Sequence, residues 1–261
     1  MRKSLLRTKS SAILSLGIVF LGFFCVFSGR PLEAKIIQAE IEHKDYLPEV
    51  PENFRRGQIL KEGDLAVRVQ WFPVPDWMAG TFTKSGDLET FQKDFQSGAE
   101  KRQSFWLKNR VTLKFGHQRD RLNTVWHAEV VPFRADGARG ATRDQRYVLS
   151  MACLKSTPEN VVLKFHSVVV TLDDRGKVMG SKQQEEIVSF FPKNDNFISS
   201  TSSTKIFSER GQPLYQLDSH TSRLRVNGFQ EVDRLSGIDL RNSLDQFLSA
   251  KNMTDRLSGS P

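Results

Sequence analysis

Over residues 105–115 the chain alternates: Phe105, Leu107, Val111, Leu113 and Phe115 take the odd positions, while Lys108, Arg110, Thr112 and Lys114 take the even ones. Successive side chains of an extended strand point to opposite faces, so this period of two predicts a strand with one dry face, on which Asn109 is the only polar residue. Further strand-like runs cover 123–133, 146–154, 161–172, 178–191, 197–207, 213–226 and 229–238. Turn-forming clusters separate most of them: 136–137 (Asp-Gly), 157–160 (Thr-Pro-Glu-Asn), 173–176 (Asp-Asp-Arg-Gly), 192–196 (Pro-Lys-Asn-Asp-Asn), 209–211 (Glu-Arg-Gly) and 227–228 (Asn-Gly). Such short connections favour hairpins, so neighbouring strands are expected to pair in order. About eight strands of this kind predict an all-β fold, an up-and-down antiparallel barrel.

Some regions depart from the period of two. Leu88, Phe91 and Phe95 are spaced three and four apart beside Glu89, Lys93 and Asp94, which predicts a short helix or an irregular connection within 87–102. Near the C-terminus, Asp239 can cap a short helix that carries Leu240, Leu244, Phe247 and Leu248 on one side. Residues 35–70 are polar and marked by Pro48 and Pro51, and read as an N-terminal arm that becomes ordered near 66–69. The barrel with its helix then fills 71–253, and 254–261 is expected to fray.

The first 34 residues stand apart. A basic opening (Arg2, Lys3, Arg7, Lys9) precedes an uncharged run over 10–29, intermediate in length between a signal-peptide core and a membrane span. It reads as an export signal cleaved after Ala34 or as an uncleaved anchor. Phe24 before Cys25 argues against processing at that cysteine as a lipoprotein. The segment holds five basic residues and one acidic residue, so half of the formal net charge of +8 belongs to it. Elsewhere Lys and Arg are interspersed with Asp and Glu, which excludes a concentrated nucleic-acid footprint. Only Cys153 lies beyond the segment, so no intrachain disulfide and no cysteine-rich metal site is expected there.

Short catalytic motifs are absent: no Gly-rich phosphate loop, GxSxG, HExxH or CxxC. His127 and His166 lie in predicted strands and can meet inside a barrel as metal or haem ligands; the simpler reading gives each a polar face or a backbone partner. Asp173 with Asp174, and Glu185 with Glu186, are adjacent carboxylates that would face opposite ways on a strand or water in a turn, and read as solvated charges. Cys153, among Tyr147, Leu149, Met151 and Leu154, reads as a buried inert thiol. Trp71, Phe72, Trp77 and Met78 surround Pro73 and Pro75, an aromatic cluster that either grips a lipid-like ligand, rests on a membrane, or plugs the barrel end.

In the stretch 74–82, VPDWMAGTF, Pro75 stiffens the approach and Gly80 lets the backbone bend before Phe82 enters a strand. Gly80-Thr81-Phe82 resembles the G-x-W opening of lipocalin-like barrels, with Phe82 in place of Trp. PDWMAGTF is similar to the PDW-hydrophobic-AGTW segment of an uncharacterised lipocalin-like family of exported cyanobacterial and plastid proteins, and residues 217–239 resemble that family's closing hairpin. The resemblance implies that Arg223 or Arg225 packs over the opening aromatic as a cation over a ring. It implies a fold and a compartment, the periplasm or thylakoid lumen, and carries no activity.

These readings lead to a non-enzymatic exported barrel that binds a hydrophobic small molecule such as a lipid, pigment or isoprenoid. Its expected interior and mouth are Trp77, Phe82, Leu107, Val111, Leu113, Phe115, Trp126, Phe165 and Arg225. No cofactor, metal or nucleic acid is expected. The alternative is a structural or assembly factor for a membrane complex, a photosynthetic one among the candidates; an isomerase or cyclase is the third class, with no acid and base to name.

Overall fold

The computed structural model describes residues 42–60, 66–135 and 144–258. The proposed signal or anchor at 1–34, the start of the arm, the turn at 136–137 and the last three residues lie outside the described residues. Among those described, no helix is long and apolar enough to cross a membrane.

The fold is all-β. In chain order its main strands are β1 (Arg68–Val74), β2 (Gly80–Asp94), β3 (Glu100–Phe115), β4 (Gln118–Arg119), β5 (Val125–Val131), β6 (Phe133–Ala135), β7 (Asp144–Ser156), β8 (Val161–Leu172), β9 (Val178–Asn194), β10 (Phe197–Ser208) and β11 (Pro213–Asn227), followed by the short pair β12 (Arg234–Leu235) and β13 (Ile238–Asp239), then α1 (Leu240–Ala250). One sheet runs β3-β2-β11-β10-β9-β8-β7-β6, entirely antiparallel, and a second runs β1-β5-β4. The consecutive hairpins from β7 to β11 follow the expected pairing in order.

The large sheet is strongly curled. Strands in a sheet lie about 4.8 Å apart, so β3 and β9, four places apart in the order, would be roughly 19 Å from each other if the sheet were flat. The rings of Phe115 on β3 and Phe190 on β9 have centroids only 5.2 Å apart. The curl buries one apolar core that gathers Phe82, Phe115, Met151, Leu163, Phe190 and Ile198.

The expected closed barrel is not found. No ladder joins β3 to β6 among the described residues. The run expected as one strand over 123–133 is divided at Pro132, which has no N–H to donate, and its first part, β5, pairs with β1. The resulting small sheet stands between the two sides of the large one: Ser156 Oγ donates to Pro73 O at 2.7 Å, and the Gly116 N–H donates to His127 Nδ1 at 3.2 Å. Its alternating side chains serve two layers. Phe72 and Val74 enter the central core, while Trp71 and Trp126 face α1 and pack with Leu240, Leu244 and Leu248. The helix is capped as expected, with the Asp239 carboxylate accepting from the Asn242 N–H at 3.0 Å.

Other expectations are corrected. Residues 87–102 form a hairpin of β2 and β3, because irregularities in the register between Lys84 and Gly86 and between Glu89 and Phe91 insert extra residues and turn a strand's spacing of two into three. Residues 229–238 are mostly coil, with only the short β12 and β13 at the end. Residues 254–258 are tied down rather than frayed: Arg256 Nη1 bonds Asp120 Oδ2 at 2.7 Å and Thr124 Oγ1 at 2.8 Å. The dry face of β3 is fully buried only at Phe115, and Phe105 is 55% exposed, because among the described residues β3 is an edge with a partner on one side only.

The arm is ordered well before residue 66. It crosses the outer face of the large sheet, where Val50 and Phe54 pack on Tyr147, Val168, Val170 and Val178. Under it Glu185 is buried, bonded by His43 Nδ1 at 3.1 Å, Lys164 Nζ at 2.9 Å and the Lys44 N–H at 2.9 Å. Burial opposes the charge, yet these partners hold its pKa at about 2. Glu185 is therefore not the solvated carboxylate expected, although it and Glu186 do face opposite ways. Gly211 fastens the arm: it sits at φ +77°, accepts from the Leu47 N–H at 3.1 Å, and a Cβ there would fall 1.7 Å from Leu47 O. A Gly211→Ala variant is expected to release the arm, with limited proteolysis cutting within 42–60 well before it does so in wild type.

Candidate functional site

Four of the nine expected site residues are core rather than lining. Phe82 and Phe115 are buried, and Leu113 and Phe165 pack against the same core. Arg225 is the arginine over the opening ring: its guanidinium lies 4.7 Å from the Phe82 centroid, donates from Nη2 to Trp77 O at 2.7 Å, and from Nη1 to Ala79 O. Gly80 makes room for this, since a Cβ there would meet Asn227 O at 2.7 Å and the guanidinium at 2.8 Å. Arg225 is thus a clamp on the loop entering β2.

The aromatic cluster is divided. Phe72 and Met78 are buried in the core, Trp71 faces α1, and Trp77 is half-buried with Nε1 donating to Pro158 O at 2.6 Å. Trp77 borders a shallow hollow of about 400 Å³ with Val74, Pro75, Leu122, Val125 and Pro158. Trp126 is not interior: it pairs with Pro73, points to the helix side, meets Phe247 edge-on at 5.6 Å and donates to Asp120 Oδ2 at 2.9 Å.

The histidines expected to meet in a barrel do not. His127 stacks on His117 with centroids 4.6 Å apart beside Phe72 and Phe115, whereas His166 bonds Gln183 at 2.9 Å on the opposite face of β8 from the core. No cluster able to hold a metal ion exists among the described residues. Burial pushes the Cys153 thiol up to about 11, so it is a poor nucleophile.

Beyond the aromatic floor, the inner face of the curled sheet becomes polar. Cross-strand partners share a face, so the pairings Lys84 with Val111 and Asp87 with Leu107 place all four there. Lys84 Nζ lies 2.7 and 2.6 Å from the two oxygens of Asp87, which also accepts from Asn109 Nδ2 at 2.7 Å and from Thr221 Oγ1. Arg146 donates from Nε to Ser167 Oγ at 3.0 Å and from Nη2 to Glu186 Oε2 at 2.8 Å. Arg223 donates from Nη1 to Ser200 Oγ at 2.5 Å and covers the Phe190 ring at 5.3 Å. Burial opposes the Asp87 charge, but its three donors outweigh that and hold the carboxyl below its ordinary value; burial also pulls Lys84 and Arg223 down.

Sequence reading missed this constellation. Its signals were Asn109, polar on a dry face, and the charges placed at inward positions of otherwise alternating strands, Lys84, Arg146, Glu186 and Arg223. No family of known proteins, no curated protein and no solved structure matches the chain.

Proposed function

We propose that the chain is an exported lipocalin-like protein that binds a hydrophobic or amphipathic small molecule, such as a lipid, pigment or isoprenoid, in the trough of its curled sheet. It performs no covalent chemistry on that molecule. In this reading the sheet acts as a barrel left open between β3 and β6, with the small sheet as its floor, and export delivers it to the periplasm or thylakoid lumen.

The observation that supports this most is the change of character along the inner face. A purely structural interior would be packed throughout, but here the floor gives way to Lys84 and Asp87, whose side chains are 12% and 16% exposed, beside half-buried Leu107 and Val111. An apolar wall with a few convergent polar groups is how small-molecule sites are built. Native mass spectrometry of protein drawn from its own source is expected to show a non-covalent added mass that vanishes on unfolding. A bare chain that also fails to take up a hydrophobic fluorophore would rule the reading out.

The assembly-factor reading also has an observation in its favour. The edge of β3, unpaired among the described residues, carries Phe105 and Trp106, 55% and 53% exposed, where a partner strand can add. Co-purification of a stoichiometric membrane protein would favour it over the carrier.

A further inference from the structure

We propose that Arg223 seats the carboxylate head of an amphipathic organic acid, whose apolar tail runs along Leu107 and Val111. The proposal rests on the small-molecule reading above and names the class of ligand.

On β11 the pairings of Thr221 with Ser200 and of Arg223 with Ile198 put both side chains on the inner face. Arg223 is only 7% exposed. Burying a guanidinium is costly unless an anion or a full set of acceptors compensates. Asp87 and Glu186 favour its charge only from a distance, because they are paired with Lys84 and Arg146, and among the described residues no carboxylate lies within ion-pair reach of Arg223.

The hydrogen bonds lead to the same conclusion. A guanidinium offers five N–H donors in a planar fork. Ser200 takes one, the Phe190 ring covers a face, and Nε is buried with no acceptor. A structural arginine in this position would have its donors matched by the fold. Nη2, next to Nε on the same edge of the fork, also has no acceptor among the described residues and is not sealed as Nε is, so this edge is left for an incoming anion, and the fork suits a carboxylate's two oxygens.

The test is calorimetric titration of the purified full chain, wild type and Arg223→Gln and Arg223→Lys, with palmitic acid, its methyl ester and cetyl alcohol at pH 8. Wild type is expected to bind the acid at least tenfold more tightly than the ester or the alcohol. R223Q should lose that preference while keeping the ester's affinity within about twofold, and R223K should keep part of it. Equal binding of acid and ester by wild type, or an R223Q protein that still prefers the acid, would overturn the assignment and leave the trough reading standing. If none of the three probes binds, the assignment falls as well, and the trough reading is then decided by the native mass spectrum and the fluorophore. Should R223Q not fold, the wild-type acid-to-ester ratio and its reduction in R223K decide the matter.

Discussion

Replacing Phe82 by alanine is expected to destabilise the protein by about 3–5 kcal/mol, among the largest losses available to a single side chain here. The ring is fully buried, packs against Phe115 with centroids 6.3 Å apart and lies beneath the Arg225 guanidinium. Truncation would open a cavity where β2, β3 and the small sheet converge, and would remove the surface on which Arg225 rests while it fastens Trp77 O and Ala79 O. Phe105→Ala supplies the contrast. Both residues are phenylalanines on faces expected to be dry, but Phe105 is more than half exposed and its loss should change stability by no more than about 0.5 kcal/mol. Urea unfolding of the two variants checks this. Similar midpoints would show that the core is not where the curled sheet places it.

That contrast also marks where sequence patterning carried information. The strand-like runs and the turn clusters between them located β7 to β11 and their hairpins, because tight turns are local signals and each of these strands pairs with its neighbours in order. Alternation overstated the dryness of β3, since an edge strand shows the same period with less to bury it against. It misread β2, where two breaks in register convert the strand period into a helix-like one. Closure depended on what β5 paired with, and nothing local to residues 123–133 distinguishes β1 from β7 as its partner. The helix was legible in full, cap included, because capping and the apolar stripe are both local.

The candidate site was less legible for a related reason. Phe82, Phe115 and Phe165 were expected to line a lumen, and hydrophobicity alone cannot separate a lining residue from a packed one. The polar groups on the inner face come from β2, β3 and β7 to β11, and only the curl brings them together. Arg223 and Arg225, two residues apart, were interchangeable as sequence. In the fold, Arg225 spends its donors on loop carbonyls and Arg223 keeps one unmatched.

Stability should fall steeply as pH drops below about 6.5, with His117 as a principal cause. Its ring is 6% exposed, stacked on His127, and its Nδ1 accepts from the Ala128 N–H at 3.1 Å. Burial, then the neighbouring His127 and Lys114, lower its pKa from the ordinary 6.5 to about 3. In the unfolded chain the imidazole takes up a proton near pH 6.5, whereas the folded protein refuses it down to about 3. The unfolded state therefore binds more protons throughout that window, and acid favours unfolding at about 1.4 kcal/mol per pH unit for this one group. His166, also held below its ordinary value by burial, adds in the same direction. The depressed carboxylates Glu185 and Asp87 contribute only at lower pH, from the ordinary carboxylate range downward, where the unfolded chain takes up the proton first. The interval between pH 6.5 and 5 thus reports on the histidines. An Asn at position 117 keeps an acceptor for the Ala128 N–H and cannot be protonated, so His117→Asn should flatten this limb by about 1 kcal/mol per pH unit in urea titrations. An unchanged slope in the variant would mean that His117 is charged in the folded protein and that the stack with His127 is not as close as described.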